Sequence, residues 1–260
     1  MSMEREDYIE DHDDIPTYRA PKEIEASELS QALGTLHLLG DDPYLPVQAW
    51  NLAIVDYFIM RLEWTAMRKR FDDEKEDLVD TTFISAQTQM WIFAAYELLR
   101  TWRQRAKDVL KLSKAGGLAM KADALDKELP YLHPGRKERA EQLRRVIADP
   151  SIVDAIALDI RRTHILFSQL EHLRVAIAKD EVSGKPKSVA YAPGFGTFNR
   201  WSGSLEYEIG FEGAIMSMLS RRDIAESLRH LSQPSDPPSD EDLAAFDAMM
   251  KGPPADVFDD

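Results

Sequence analysis

Hydrophobic residues recur with a helical period along most of the chain, which predicts a mainly α-helical bundle. A first helix is expected from Ser27 to Gly40, and a second, longer one from Pro46 toward Phe71. A third spans roughly residues 82–113 and is followed by Gly116, because glycine commonly follows a helix C-terminus. Two shorter helices are expected near 118–129 and 135–148, so that about five or six main helices form the bundle.

The segment after Pro150 has the most regular pattern in the chain. Ser151 and Asp154 match a capping box at a helix start. The side chains that follow recur at alternating steps of four and three residues as far as Ile177. We expect one continuous helix here, packed lengthwise against a neighbour in the bundle.

The pattern changes after Val182. Residues 183–203 contain four glycines and two prolines and predict a long loop, whereas the alternating segments 204–209 and 214–219 predict a β-hairpin. Ser220 with Asp223, and Ser239 with Asp242, then match two further capping boxes. Each is expected to open a short helix.

The predicted fold class is therefore mainly α: a helical bundle with a small C-terminal β-hairpin and acidic, partly disordered termini. We divide the chain into an acidic N-terminal arm (1–26), the helical bundle (27–182), a part comprising the loop, hairpin and short helix packed on the bundle (183–231), and an acidic C-terminal tail (232–260).

Charge is concentrated at the two ends of the chain. The 46 acidic and 32 basic residues give a formal net charge of −14. Residues 1–30 hold ten acidic and three basic residues, and residues 232–260 hold eight and one, so each end carries −7 and the middle is neutral. The acidic ends are interpreted either as solvated tails or as arms that dock on a basic partner.

Composition excludes several classes of protein. The chain has no cysteine, so disulfides, cysteine zinc sites, iron–sulfur clusters and thiol nucleophiles are excluded. No run approaches 18 apolar residues, and the acidic N-terminus lacks the apolar region of a secretory signal. We therefore expect a cytoplasmic protein without a membrane contact.

The templates of common catalytic sites are not met. No histidine follows an acidic residue at the Glu-x-x-His spacing of di-metal bundles, and HExxH is absent. The glycines around Ser183 and Pro193 fit neither phosphate-loop pattern. We assign no catalytic residue, metal site or cofactor, which favours a non-enzymatic protein without excluding an enzyme.

Two apolar sets are candidates for binding a protein partner or a second copy of the chain. Aromatic residues in the loop either pin it to the bundle or form a recognition surface. Apolar residues of the last short helix are candidates for a groove-binding or self-docking segment. The loop set is Tyr191, Phe195, Phe198 and Trp201, and the tail set is Leu243, Phe246, Met249 and Met250.

The second half of the third helix is basic. It is interpreted either as a surface for nucleic-acid phosphates or as a solvated face neutralised by acidic residues of the same chain. The residues of this candidate face are Arg100, Trp102, Arg103, Arg105, Lys107, Lys111 and Lys114.

Two charged residues lie in apolar surroundings along the sequence. Arg61 stands among Ile54, Phe58 and Leu62, and Glu97 lies in the apolar half of the third helix. A buried charge requires a partner. We therefore expect Arg61 and Glu97 to form a buried polar pair with each other or with nearby charged residues.

Two functions follow as hypotheses. The first is a non-enzymatic helical interaction or scaffold protein that binds a protein partner through its acidic tails and loop aromatics. The alternative is a helical protein of bacterial defence or toxin–antitoxin type that binds or acts on nucleic acid through the 100–114 face.

Overall fold

The computed structural model describes residues 18–72, 77–127, 134–178, 181–182, 185–189, 196–211 and 214–250. Within these ranges the chain is mainly α-helical, with a small antiparallel sheet toward the C-terminus, which confirms the predicted fold class. Residues 1–17 of the predicted N-terminal arm and 251–260 of the predicted tail lie outside the described part.

The described residues form nine α-helices: the six main helices expected, with the last of them divided into α6 and α7, and the two short helices expected from Ser220 and Ser239. The helices are α1 (Glu28–Gly34), α2 (Leu45–Phe71), α3 (Leu78–Lys114), α4 (Leu118–Asp126), α5 (Pro134–Ala148), α6 (Ser151–Arg162), α7 (His164–Ala178), α8 (Arg221–Arg229) and α9 (Asp240–Met249).

The long helices α2 and α3 form the centre of the core. They run antiparallel, and the indole N–H of Trp91 donates a hydrogen bond to the Leu52 carbonyl at 3.0 Å. The Asp77 side chain caps the start of α3 by accepting from the N–H groups of Val79 and Asp80. At its end Gly116 has a φ of +69°, and the next N–H returns to the Leu112 carbonyl at 2.8 Å. Local sequence therefore sets both ends of α3.

The first helix ends at Gly34 and not at Gly40 as expected. The turn that replaces its last part is held from other helices: the His37 N–H donates to Asp159 at 2.8 Å, and the Trp102 indole donates to the His37 carbonyl at 2.7 Å. A Cβ on Gly40 would lie 2.4 Å from the Gly34 carbonyl oxygen. Only glycine fits this close approach, and the apolar period could not reveal it.

The helix expected after Pro150 is interrupted at Thr163, between α6 and α7. The buried Arg103 guanidinium of α3 donates to the Ile160 carbonyl at 3.1 Å and to the Thr163 hydroxyl at 2.7 Å. The Arg103 side chain of α3 thus hydrogen-bonds a backbone carbonyl of α6, and the helix that the sequence pattern predicts is interrupted at this point. The expected capping box is also wrong, since Asp149, not Ser151, supplies the accepting oxygen.

The β-hairpin and the last two helices are confirmed. The strands are β1 (Glu181–Val182), β2 (Lys185–Val189), β3 (Thr197–Phe198), β4 (Leu205–Phe211) and β5 (Ala214–Ser220). Strands β4 and β5 form the predicted hairpin, β3 adds to β4, and β1 pairs with β2, all antiparallel. Ser220 with Asp223 caps α8, and Ser239 with Asp242 caps α9, both as complete capping boxes. No helix in the described ranges is both long and apolar enough to cross a bilayer.

Candidate interaction surfaces

The predicted loop aromatics do not share one environment. Tyr191 and Phe195 lie outside the described residues. Phe198 is half-buried against the core, with the Arg70 guanidinium 5.9 Å from its ring centre. The Trp201 side chain is 54% exposed. Phe198 therefore anchors the loop, whereas Trp201 presents its indole at the surface.

The predicted tail helix α9 lies on its own chain. Arg161 of α6 pairs with Asp240 at 2.7 Å, and His164 of α7 contacts Asp247 at 2.8 Å. Leu243 and Phe246 are half-buried, Met250 is buried and Met249 is exposed. This part of the tail contacts α6 and α7.

The predicted basic face of α3 is not one continuous surface. Trp102 and Arg103 are buried. Trp102 donates a hydrogen bond to His37 in the turn between α1 and α2, and Arg103 donates one to Thr163 between α6 and α7. Arg105 pairs with the buried Asp42, and Arg100 pairs with Glu97. The exposed remainder consists of Lys107, Lys111 and Lys114. Tertiary contacts thus use three of the seven residues that the sequence grouped, and Arg100 is paired within its own helix.

The predicted burial of Arg61 and Glu97 is wrong, and the two do not pair with each other, although Glu97 does pair with Arg100, one of its expected partners. Both side chains are exposed: Arg61 donates to the Tyr57 hydroxyl at 3.2 Å, and Glu97 accepts from Arg100 at 2.5 Å. The reason is the orientation of α2. Its buried side carries Asp56 and Glu63, so the side with Phe58 and Leu62 faces outward.

A different set of charged residues is buried, between α2 and α8. Arg221, with a fully buried side chain, bridges Asp56 and Glu63, and its contact with Glu63 is 2.5 Å. Arg229 also pairs with Asp56, and Ser204 donates to Glu63 at 2.7 Å. We call six residues the buried charge cluster: Asp56, Glu63, Arg221, Arg222, Glu226 and Arg229.

The cluster balances three cations against three anions. Burial by itself lowers the pKa of Arg221, but the carboxylates of Glu63 and Asp56 outweigh that effect and raise it above its ordinary value. For Arg222, burial dominates and lowers the pKa. Because its ions neutralise one another, the cluster fastens α8 to α2.

The sequence contained a signal for this cluster that motif searches do not detect. Asp56 and Glu63 are seven residues apart on α2, and Arg221 and Arg229, the arginines that pair with them, are eight residues apart on α8. Seven or eight residues are about two helical turns, so each pair lies near one side of its helix. Opposite charges repeated at this spacing favour a pairing between helices, but which helices meet depends on the fold.

A polar cleft of about 660 Å³ adjoins the cluster. Its walls include Tyr18, Glu28, Asp223, Glu226 and His230. Each carboxylate already has a partner: Glu28 and Glu226 contact Arg19, and Asp223 accepts from the Tyr18 hydroxyl. Burial, together with Asp223, raises the pKa of Tyr18 above its ordinary value. These contacts join Tyr18 and Arg19 to α1 and α8.

Part of the outer surface of the α2–α3 pair is apolar. We call five residues the α2–α3 face: Val55, Phe58, Leu62, Phe83 and Met90. Their exposed fractions range from 39% for Val55 to 64% for Met90. Exposed aliphatic and aromatic side chains are unremarkable when scattered, but a contiguous set indicates a binding surface.

These residues are contiguous because of how the two helices meet. Leu62 lies two turns before Lys69 on α2, and Lys69 contacts Asp80 of α3 at 2.7 Å, so this side of α2 borders α3. On α3, Phe83 and Met90 follow Asp80 by three and ten residues and share its side. The five side chains therefore lie along the seam between the helices.

A second exposed cluster lies at the C-terminal end of α2. The Arg200 guanidinium stands 5.9 Å from the Phe71 ring centre and 5.4 Å from that of Trp201. Gly203 of this loop lies beside Met67 and Trp64: a Cβ on it would be 3.5 Å from the Met67 sulfur and 4.0 Å from the Trp64 indole. We call Trp64, Phe71, Arg200 and Trp201 the aromatic–arginine cluster.

Metal binding and similarity to known proteins complete the description of the candidate sites. Among the described residues, no group of three or more His, Asp or Glu side chains could hold a metal ion. No family model, curated protein or solved structure matches the chain.

Proposed function

We propose that this protein is a non-enzymatic scaffold that assembles with a second copy of itself through the α2–α3 face. The observation that carries the proposal is the exposure of apolar side chains along both central helices. Phe58 at 58% and Met90 at 64% are exposed although they lie on the two longest helices of the described chain. Water in contact with this apolar surface is released when a partner covers it.

Charge favours a second copy as the occupant. Between Leu45 and Met60 the only charged residue of α2 is Asp56, whose side chain is buried in the charge cluster. The exterior of these turns is therefore uncharged, in a chain with a net charge of −14. Two copies repel each other at long range, and contact through an uncharged surface places the fewest like charges together.

The area of the α2–α3 face agrees with this assignment. Five side chains, each about half exposed, present on the order of 500 Å² of apolar surface. A standard interface buries about 800 Å² on each partner, of which roughly 60% is apolar. The face therefore supplies the apolar part of one interface of ordinary size.

A two-fold arrangement fits the geometry. Each copy contributes an antiparallel pair of helices, and stacking two such pairs face to face gives four near-antiparallel helices, a common packing. In such an interface the same patch of both copies meets itself. Phe58 and Met90 would then be buried by their counterparts.

The experiment is sedimentation equilibrium of the full chain over a concentration series. We expect a species of twice the chain mass for wild type, and monomers for Phe58→Glu and Met90→Glu with unchanged far-ultraviolet circular dichroism. Met120→Glu is the matched control, because Met120 is 74% exposed on α4, away from the α2–α3 face. Added salt is expected to preserve or strengthen assembly, since it screens the repulsion between acidic chains.

A wild-type chain that stays monomeric throughout the series, or a control variant that dissociates as readily as Phe58→Glu, refutes the proposal. The nucleic-acid alternative is tested by titrating labelled single-stranded RNA and DNA at two salt concentrations. Binding that weakens steeply with salt and with alanine at Lys107, Lys111 and Lys114 supports that alternative instead.

A further inference from the structure

The His37 side chain is held at one ring nitrogen by a buried carboxylate. Its Nδ1 lies 2.8 Å from an oxygen of Asp159, and the same oxygen accepts from the His37 backbone N–H at 2.8 Å. The Asp159 side chain is 7% exposed, whereas that of His37 is 42% exposed. Because a carboxylate accepts hydrogen bonds, the ring proton lies on Nδ1, and Nε2 presents its lone pair.

The backbone around His37 is fixed and strained. The indole N–H of Trp102 donates to the His37 carbonyl at 2.7 Å, so the residue is held from α3 as well as from α6. The next residue, Leu38, is buried and has a φ of +68°, a left-handed conformation that leucine rarely adopts. Strain of this kind persists where surrounding contacts enforce it, and it concentrates at functional sites.

The turn that carries His37 borders a cleft of about 290 Å³ beside α5. This volume is far more than one water molecule requires, so a group of several heavy atoms fits. Gln142 and Arg145 line the same cleft, and both donate to Asp41, at 2.6 and 2.5 Å. A primary amide and a guanidinium carry further N–H donors, which suit the oxygens of a bound group.

The acidic residues beside the cleft are already engaged. Asp41 pairs with Arg145, and Asp159 holds His37. Asp42, the next residue of the turn, is buried and pairs with an arginine of α3. An anionic group can therefore approach Nε2 of His37 without facing an unpaired carboxylate among these three.

The other described histidines are held differently. His164 meets its carboxylate, that of Asp247, through Nε2. His172 and His230 each place Nδ1 against a backbone carbonyl at 2.7 Å. Among the histidines that the structure describes, His37 is thus the one whose Nδ1 is bound by a carboxylate.

We propose that His37 is a phosphoryl-acceptor site, which takes a phosphoryl group onto Nε2 from a phosphoramidate donor such as the phosphohistidine of another protein. The Nε2 lone pair attacks phosphorus and forms a P–N bond, while the P–N bond of the donor breaks. The donor nitrogen, protonated beforehand, leaves with the electron pair as a neutral base. The His37 ring gains one positive charge, which Asp159 stabilises as a carboxylate stabilises an imidazolium.

The transfer needs nothing further, because one P–N bond replaces another. The chain acts as an acceptor and not as an enzyme. The site lies on the α1–α2 turn, α5 and α6, so it is independent of assembly through the α2–α3 face.

The donors at the cleft favour a phosphoryl group over a metal ion. A phosphoryl group brings three acceptor oxygens, and Gln142 and Arg145 supply N–H groups for them. A metal ion at Nε2 would require further ligands, and the described part of the chain holds no group of three His, Asp or Glu side chains suited to one.

The test is treatment of the full chain with potassium phosphoramidate at neutral pH, followed by phosphorus-31 NMR and site assignment by mass spectrometry. We expect His37 to be labelled at Nε2 on the order of tenfold faster than His230, the low end of the effect of a partner behind a histidine ring. His230 is the matched internal control, because it is exposed and its Nδ1 meets a neutral carbonyl. Inorganic phosphate has no leaving nitrogen and should label neither residue.

Asp159 acts in this proposal as a positioning residue, and Asp159→Asn tests that role. The variant keeps an oxygen for the His37 N–H but removes the charge. We expect labelling of His37 to fall to the rate of His230, with the Nε2 isomer and the far-ultraviolet circular dichroism unchanged. In the wild-type chain unfolded in concentrated urea, the two rates should become equal, and this comparison does not depend on the folding of a variant.

Equal labelling of His37 and His230 in the native chain overturns the proposal. So does labelling of native His37 at Nδ1, because that nitrogen is engaged by Asp159. A folded Asp159→Asn variant that labels His37 as fast as wild type overturns it as well.

Discussion

Removing the charge of Asp56 should destabilise the fold more than almost any other conservative change. Asp56 is completely buried and accepts from two guanidinium groups, those of Arg221 and Arg229. The substitution Asp56→Asn preserves the shape of the side chain but leaves the buried charge cluster with three cations and two anions. An uncompensated buried charge costs about 3–5 kcal/mol.

The size of this effect can be compared with the stability of the whole protein. The free energy of unfolding of a domain is about 5–15 kcal/mol. Asp56→Asn therefore removes a third or more of a typical value. For a chain of this length the midpoint of thermal unfolding should fall by on the order of 10 °C. The control is Glu97→Gln, in which an exposed pair with Arg100 is lost. That change should leave the urea midpoint close to that of wild type, because an exposed ion pair contributes little to stability.

The measurement is urea unfolding followed by circular dichroism, with the midpoint and the slope fitted separately. The double variant Asp56→Asn with Arg229→Gln restores the balance of charge and should recover about 1–3 kcal/mol relative to the sum of the single variants. If Asp56→Asn lies within about 1 kcal/mol of wild type, or no coupling to Arg229 is found, the cluster does not fasten α8 to α2 as argued.

Three further outcomes are expected. Ser220→Ala removes the side-chain oxygen that accepts from the Asp223 N–H and should destabilise the protein by about 1 kcal/mol in urea unfolding. Gly203→Ala places a side chain at a φ of +69° and should cost about 1 kcal/mol, with a changed Trp201 fluorescence spectrum. The hydrogen bonds from Ser239 lower the pKa of Asp242, so its contribution to α9 is complete above the ordinary pKa of 3.8 and is lost as the pH falls through the lower folded value. Amide exchange in α9, compared between wild type and Asp242→Asn, should show a difference at neutral pH that disappears in acid; a difference that persists in acid contradicts the assignment.

The candidate surfaces show why site prediction from the sequence was limited. The Trp50, Tyr57, Trp64 and Phe71 side chains recur every seven residues and are visible as a row in the sequence. Whether such a row is buried or exposed depends on which side of α2 receives the other helices. Because α2 is apolar on opposite sides, its sequence does not specify this orientation. The expectation of a buried Arg61 failed for the same reason.

Local rules alone determined much of this protein. The chain ends its third helix at a glycine pair, caps α8 and α9 with serine, and forms the β4–β5 hairpin from alternating residues, because each of these features depends on neighbours in sequence. The tertiary structure decided the break at Thr163, the short first helix and the buried charge cluster. Each of these depends on a side chain distant in sequence: Arg103 at the break, Asp159 and Trp102 at the turn, and the arginines of α8 against α2. The distinction is physical, because hydrogen bonds and ion pairs between distant residues form only when packing brings them together, and no periodicity along the chain encodes that meeting.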